Sequence, residues 1–205
     1  MKESEIHPIR AEKCGDTLII FFIRPHAKNP LSINALKILH RIIDIESKNP
    51  DFKKIIFTGT GDVFASGADL REIASVTKDT AREFALRGQT LMKKIADVPQ
   101  TTIAAINGYC FGGALDLALA CDTRIASPNA VFCHPGVSLG IITGWGGTQR
   151  LPRLVGEARA LEMFLTAKRV DALEALRIGL IDQIKKNPLR ESIANRRPNS
   201  SSIKL

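Results

Sequence analysis

Aromatic residues make up only 5% of this 205-residue chain, with a single tryptophan, Trp145, and a single tyrosine, Tyr109. The core must therefore be mostly Ile, Leu, Val and Ala, a composition that suits a buried parallel sheet covered by helices. No stretch approaches the roughly eighteen apolar residues of a membrane-spanning helix. The opening residues MKESEIHPIRAEK lack the apolar centre of a signal peptide, so the expectation is a cytoplasmic protein without a membrane partner. Cysteine is sparse: Cys14, Cys110, Cys121 and Cys133 form no CxxC pair, which argues for buried free thiols in a reducing compartment and against zinc or disulfides. No metal site is expected.

Lys and Arg outnumber Asp and Glu by 29 to 21, a formal net charge of +8. That excess fits nucleic acid, a phosphate-bearing ligand or simple solubility. The basic residues are scattered and no RNA-binding aromatic signature accompanies them, so nucleic acid is the least favoured partner. A helical row of Lys37, Arg41 and Lys48 is the one feature that keeps it in view. At 44% apolar and 24% charged, the chain has enough material for one sizeable core and too little for two domains.

The pattern predicts strands over 16–24, 54–58, 102–106 and 123–126, and helices over 34–48, from 80 to Pro99, 113–121, from 144 onward, 157–167 and 171–179. Thr80 and Glu83 have capping-box spacing, and Phe84, Gly88, Leu91, Met92 and Ile95 make one apolar stripe. Residues 130–139 read as a further strand or an irregular crossing. Strands separated by helices imply right-handed crossovers. After Ile184 the chain turns basic and polar, so 1–184 is expected to form one domain and 185–205 a disordered or non-native tail. Its last part, 198–205, has the look of a cloning remnant or a shifted frame.

Two glycine-bearing turns carry the chemistry. Between Ile103 and Asp116 the sequence IAAINGYCFGGALD sets a turn after an apolar run and a carboxylate just inside the next helix. Amides exposed at such a turn polarise a carbonyl or hold an anion, and an acid one turn on handles protons. Close packing of helix on strand explains such a junction equally well. A second turn, FASGADL from Phe64 to Leu70, matches the first in kind, with Gly67 permitting the bend and Ala68 offering its N–H.

FASGADL, AAINGYCFGGALDLALACDTRIAS, GIITGWGGTQRLPRLVG and DALEALRIGLID, in that order, resemble the successive signatures of the crotonase superfamily, the enoyl-CoA hydratases and isomerases. The likeness runs from about Arg24 to Ile184. It implies an α/β crotonase (ClpP-like) fold of repeated ββα units, with the C-terminal helical region cut short. It implies that the amides of Ala68 and Gly113 form the oxyanion hole for an acyl thioester, and that His26, Ala27, Asn29, Ala68, Asp69, Leu70 and Arg71 hold coenzyme A. Gly136, Ile142, Gly144 and Trp145 would border the acyl pocket. Coenzyme A enters as part of the acyl-CoA substrate, with no permanently bound cofactor, and the family's assembly is a homotrimer or hexamer, weakened here by the short C-terminus.

Family hydratases use two glutamates, and this chain matches neither. Asp116 stands at the first position, a carboxylate shorter by one methylene, as in the dienoyl-CoA isomerases of the family. Gly136 stands at the second. Hydration divides water activation and carbon protonation between two groups, whereas a double-bond shift needs only one base. The expected activity is therefore isomerisation or other single-acid enolate chemistry rather than hydration, with Asp116 as the acid and Gly136 freeing volume for a larger acyl group. Alternatives are a non-catalytic CoA-binding or assembly subunit and, less favoured, an RNA-binding relative. His134, close in sequence to Gly136, reads as a hydrogen-bonded core histidine before it reads as a replacement acid.

Overall fold

The structure is a computed structural model and describes residues 7–194. It opens on a hairpin of β1 (Ile9–Cys14) and β2 (Thr17–Phe22), followed by a 3-10 turn at Pro25–Ala27, β3 (Pro30–Leu31) and α1 (Ile33–Glu46). Ser32 caps α1 by accepting the Ala35 amide at 3.2 Å. Next come β4 (Lys54–Gly59), β5 (Val63–Ala65), β6 (Gly67–Ala68), α2 (Leu70–Ala74) and α3 (Ala81–Asp97). β7 (Thr101–Ile106), β8 (Tyr109–Phe111), α4 (Gly113–Ala120), β9 (Thr123–Ala126) and β10 (Val131–Cys133) form the middle. A 3-10 turn at Pro135–Leu139 leads to α5 (Gly147–Val155), α6 (Glu157–Thr166), β11 (Val170–Asp171), α7 (Ala172–Arg177), β12 (Gln183–Ile184) and α8 (Pro188–Ala194).

Six strands in the order β1-β2-β4-β7-β9-β12 make the main sheet, parallel except at the β1–β2 hairpin. A second sheet, β11-β10-β8-β5, stands apart from it, and β3 pairs with β6. Two successive units give one strand to each sheet before a helix: β4 then β5, and β7 then β8. These are the repeated ββα units of the crotonase fold. Each unit carries its chain from the main sheet to the second one, and the turns that follow β5 and β8 are thereby brought to the same place.

All six residues of β2 are buried, which requires cover on both faces of the main sheet. On one face the large core takes Phe22, Leu36, Leu39, Phe57, Leu91 and Leu115 from strands and helices alike. On the other, Ile19, Phe21, Ile56, Ile103, Ala105 and Ile125 are closed over by Leu189 and Ile193 of α8. Lys54 Nζ secures that helix by donating to the Ser192 and Ile193 carbonyls at 2.8 and 3.1 Å. Within the polar stretch from 185, residues 188–194 form this docked helix: Leu189 and Ile193, four residues apart, give α8 just enough apolar surface to dock. Residues 195–205, and with them the suspected remnant at 198–205, lie outside the described residues.

Two smaller expectations also change. Thr80 starts α3 but caps nothing through its side chain, because its hydroxyl accepts the Thr77 amide instead. Lys48 lies beyond the end of α1, so the basic row on that helix reduces to Lys37 and Arg41.

Candidate active site

The glycine turns meet. A Cβ added to Gly67, whose φ is +90°, would lie 2.7 Å from the Phe111 carbonyl oxygen and 2.9 Å from the Gly113 amide nitrogen. Only a glycine allows β6 to pass so close to the start of α4. Gly112 takes a φ of 53° there, and its amide donates to the Cys133 carbonyl at 2.9 Å, tying the turn to the end of β10. Gly113 is the first residue of α4, and no side chain caps that helix. Its amide is one of the donors that a helix leaves without an intrahelical acceptor.

Asp116 sits one turn further along α4 and is wholly buried. Its Oδ2 accepts the Thr143 hydroxyl and the Trp145 amide, the latter at 3.2 Å. Its Oδ1 has no hydrogen bond of ordinary geometry and faces His134 and Gly147, whose backbone N–H favours the charged carboxylate. A Cβ at residue 147 would come within 2.1 Å of that oxygen, so Gly147 is the notch that admits the carboxyl group. Burial pushes the Asp116 carboxyl up to about 7, with the bonds from Thr143 and Trp145 opposing the rise. A carboxyl poised near neutrality is suited to giving and taking protons.

His134 closes the other side. It precedes the 3-10 turn at Pro135–Leu139, is buried beside the Phe164 ring, and brings Nε2 to 3.7 Å from Asp116 Oδ1. Burial lowers its affinity for a proton to about 4. Neither ring nitrogen has a hydrogen-bond partner, which corrects the expectation of a hydrogen-bonded core histidine.

Trp145 is also buried, its indole lodged between α3 and α4. Added Cβ atoms would reach the ring at 2.1 Å from Gly88 and 2.3 Å from Gly113. The ring therefore lies against the first residue of α4. Gly136 frees no volume, contrary to expectation: a Cβ there would stand 2.6 Å from the Ile141 carbonyl oxygen, because the 3-10 turn folds residue 141 back over it. Ile142 and Gly144 are exposed, and the Gly144 carbonyl accepts from Gln89 Nε2 at 2.8 Å. A groove of about 780 Å³ reaches Thr143, Gly144, Trp145, Arg150 and Arg153, but not Ala68, Gly113 or Asp116.

The residues matched to coenzyme A gather along the chain from the end of β2 to α2. His26 is exposed and Ala27 half-buried in the 3-10 turn at Pro25–Ala27. Asn29 is buried, with its side chain fully engaged in structure: Oδ1 accepts the Arg24 amide at 2.7 Å, and Nδ2 donates to the Val63 and Phe64 carbonyls at 2.9 and 3.2 Å. Those bonds clip the loop after β2 onto β5. Asp69 caps α2, accepting the Arg71 amide at 2.9 Å, while Leu70 and the Arg71 guanidinium project into solvent. Gly147, and the part of Thr143 as a donor to Asp116, are what sequence reasoning missed. Nothing local in GIITGWGG says that its threonine reaches the acid of another helix.

Stacked ββα units that set two glycine turns together, with a buried carboxylate one helical turn away, define a crotonase-fold protein. The family model described as enoyl-CoA hydratase/isomerase matches residues 15–192. The short-chain-enoyl-CoA hydratase of Clostridium acetobutylicum is 38% identical over 181 residues, covering 88% of this chain and 69% of that protein. The crotonyl-CoA hydratase of Syntrophomonas wolfei is 40% identical over 174 residues, covering 84% and 67%. Among solved structures, Pseudomonas aeruginosa DspI aligns with a TM-score of 0.85 at 39% identity, over 92% of this chain and 77% of that one. The enoyl-CoA hydratase of Thermoplasma volcanium aligns with a TM-score of 0.88 at 31% identity, over 94% and 77%. The chain belongs to the enoyl-CoA hydratase/isomerase family, and it spans about two thirds of the length of the two curated relatives.

Proposed function

We propose that this protein binds an acyl-CoA thioester, stabilises the enolate of its acyl group through the amides of Ala68 and Gly113, and moves the proton with Asp116. The close approach of Gly67, the neighbour of Ala68, to the Gly113 amide supports this reading, because it brings the two turns side by side. Each preorganised donor contributes about 3 kcal/mol to an oxyanion that forms only in the reaction. The names of the curated relatives support an enoyl-CoA substrate. With glycine at 136, Asp116 is the one carboxylate matched to the family's pair, and we assign the reaction to double-bond isomerisation or other single-acid chemistry rather than hydration. Coenzyme A is part of the substrate, held by His26, Ala27 and Asn29 together with Ala68, Asp69, Leu70 and Arg71. Exposed Leu161, Leu165, Leu173 and Leu176 on α6 and α7 supply apolar surface for assembly into a trimer or hexamer.

Turnover of 2-enoyl-, 3-enoyl- and dienoyl-CoA thioesters by the wild type and by Asp116→Asn tests the assignment. Isomerised products from the wild type, lost in the variant, are expected. Rapid hydration of crotonyl-CoA would contradict the single-acid assignment. A second reading, CoA binding without turnover, draws on the complete burial of Asp116 and on the indole lying against Gly113. It predicts that both proteins bind an acyl-CoA and turn over none.

A further inference from the structure

The buried atoms without partners are not scattered. Among the described residues, five buried side-chain N or O atoms lack a hydrogen bond, and three of them belong to Asp116 and His134. Two of the three, Asp116 Oδ1 and His134 Nε2, face one another at 3.7 Å. A closing of about 0.7 Å would bring them to an ordinary hydrogen-bond length of about 3.0 Å. The surroundings hold both in place: Thr143 and Trp145 occupy Oδ2, Gly147 leaves room for Oδ1 and the imidazole edge, and the Gly112 amide anchors the Cys133 carbonyl just before His134. The pair is thus built from the same turn that presents the Gly113 amide.

We propose that Asp116 and His134 share one proton between Oδ1 and Nε2, and that His134 is the positioning residue that holds this proton in place of the acid missing at 136. The transfer balances within the pair: a proton on Oδ1 moves to Nε2 and returns, so the pair keeps the same net charge. When the pair has lost its proton, ionised Asp116 takes one from a substrate carbon, the pair shares it between Oδ1 and Nε2 while the enolate carries the negative charge, and Asp116 returns it to the substrate. Buried ionised groups are costly in so apolar a site, and a neutral acid facing a neutral imidazole avoids that cost. Arg150 of α5 favours the charged form of Asp116, and the nearby Cys110 thiol of β8 is kept protonated first by burial, with Cys121 and Asp116 adding to the effect. On the other side His134 meets the uncharged Phe164 ring. The role assigned to His134 rests on the functional reading above; the shared proton does not.

The test is therefore independent of turnover. Histidine nitrogen NMR of the full chain, labelled with ¹⁵N-histidine and assigned with His134→Gln, follows His134 between about pH 5 and 9 in the wild type and in Asp116→Asn. The wild type is expected to show a His134 titration step above about pH 6 as the pair loses its proton, and Asp116→Asn to lack it. Identical His134 signals in both proteins across that range would overturn the proposal. The carboxyl stretching band of Asp116, read by infrared difference spectroscopy between wild type and His134→Gln, gives a second readout that does not need Asp116→Asn to fold. A shifted band supports the shared proton, and an unmoved one overturns it. An inactive wild type that shows the step refutes the catalytic reading and leaves the pair standing; an active one without the step does the reverse.

Discussion

Gly67 approaches Gly113 so closely that a methyl group on the first would touch the amide of the second, at 2.9 Å. The contact joins β6 to α4 and sets the spacing of the two candidate oxyanion donors. Gly67→Ala forces both a positive φ on alanine and a collision with backbone. A loss of about 1–3 kcal/mol in folding stability is expected. Turnover should fall by about a hundredfold if the donors part by about 1 Å. Denaturant unfolding and acyl-CoA turnover measure the two effects.

Gly88 and Trp145 define a second close approach, on the far side of the indole. Alanine at an ordinary helix position gains about 1 kcal/mol over glycine. At 88 the sign reverses, because the new Cβ would stand 2.1 Å from the Trp145 ring. Gly88→Ala should destabilise by about 1–3 kcal/mol. Its fluorescence should shift to the red as the only tryptophan of the chain is pushed toward water.

Asp116 and His134 set opposite pH dependences. The carboxyl is raised to about 7 in the folded chain from a usual 3.8, so its contribution to stability falls as pH rises from about 4 to 7. The imidazole is lowered to about 4 from 6.5, so its contribution falls as pH drops from about 6.5 to 4. In the shared window the folded and unfolded pairs each hold one proton, and the two slopes cancel. Denaturant unfolding against pH should be nearly flat there for these groups in the wild type. Relative to it, Asp116→Asn should gain stability with rising pH and His134→Gln should lose it.

Asn29 ties the loop after β2 to β5 by bonds that no other side chain type at this position can replace at once. Its φ of 49° also lies in the left-handed region that asparagine tolerates. Asn29→Ala leaves the Arg24 amide without its acceptor and the Val63 and Phe64 carbonyls without this donor. The expected cost is about 2–3 kcal/mol. A rise in the Michaelis constant for acyl-CoA larger than the fall in kcat would show that the loop serves binding.

The sequence was most legible where one physical rule dominated. β2, β4 and β7 are buried apolar runs, and the reading placed each within a few residues. β1 escaped because five of its six residues face solvent, leaving IRAEKC with no apolar pattern. β5 was hidden inside a glycine loop, and α8 passed for tail because PLRESIA carries only Leu189 and Ile193 as anchors. In the site, Gly113 and Asp116 lie in one motif and were read together. The hydroxyl of Thr143, the notch at Gly147 and the facing of His134 depend on how the chain from the end of β10 to the start of α5 packs on α4. Gly136 was misjudged for a related reason: an absent side chain suggests space, and the fold had already used that space for the backbone of Ile141.

The central claim is that Asp116 is the group that takes the proton of a thioester enolate from the substrate and returns it. Its most direct measurement is the conversion of a 3-enoyl-CoA in deuterium oxide, followed by NMR, for the wild type and Asp116→Asn. The account predicts a shifted double bond with part of the original hydrogen retained, since one base removes and returns it, and a loss of rate of at least about a hundredfold in the variant. Equal rates in the two proteins, or rapid addition of water to crotonyl-CoA with no double-bond shift, would contradict it.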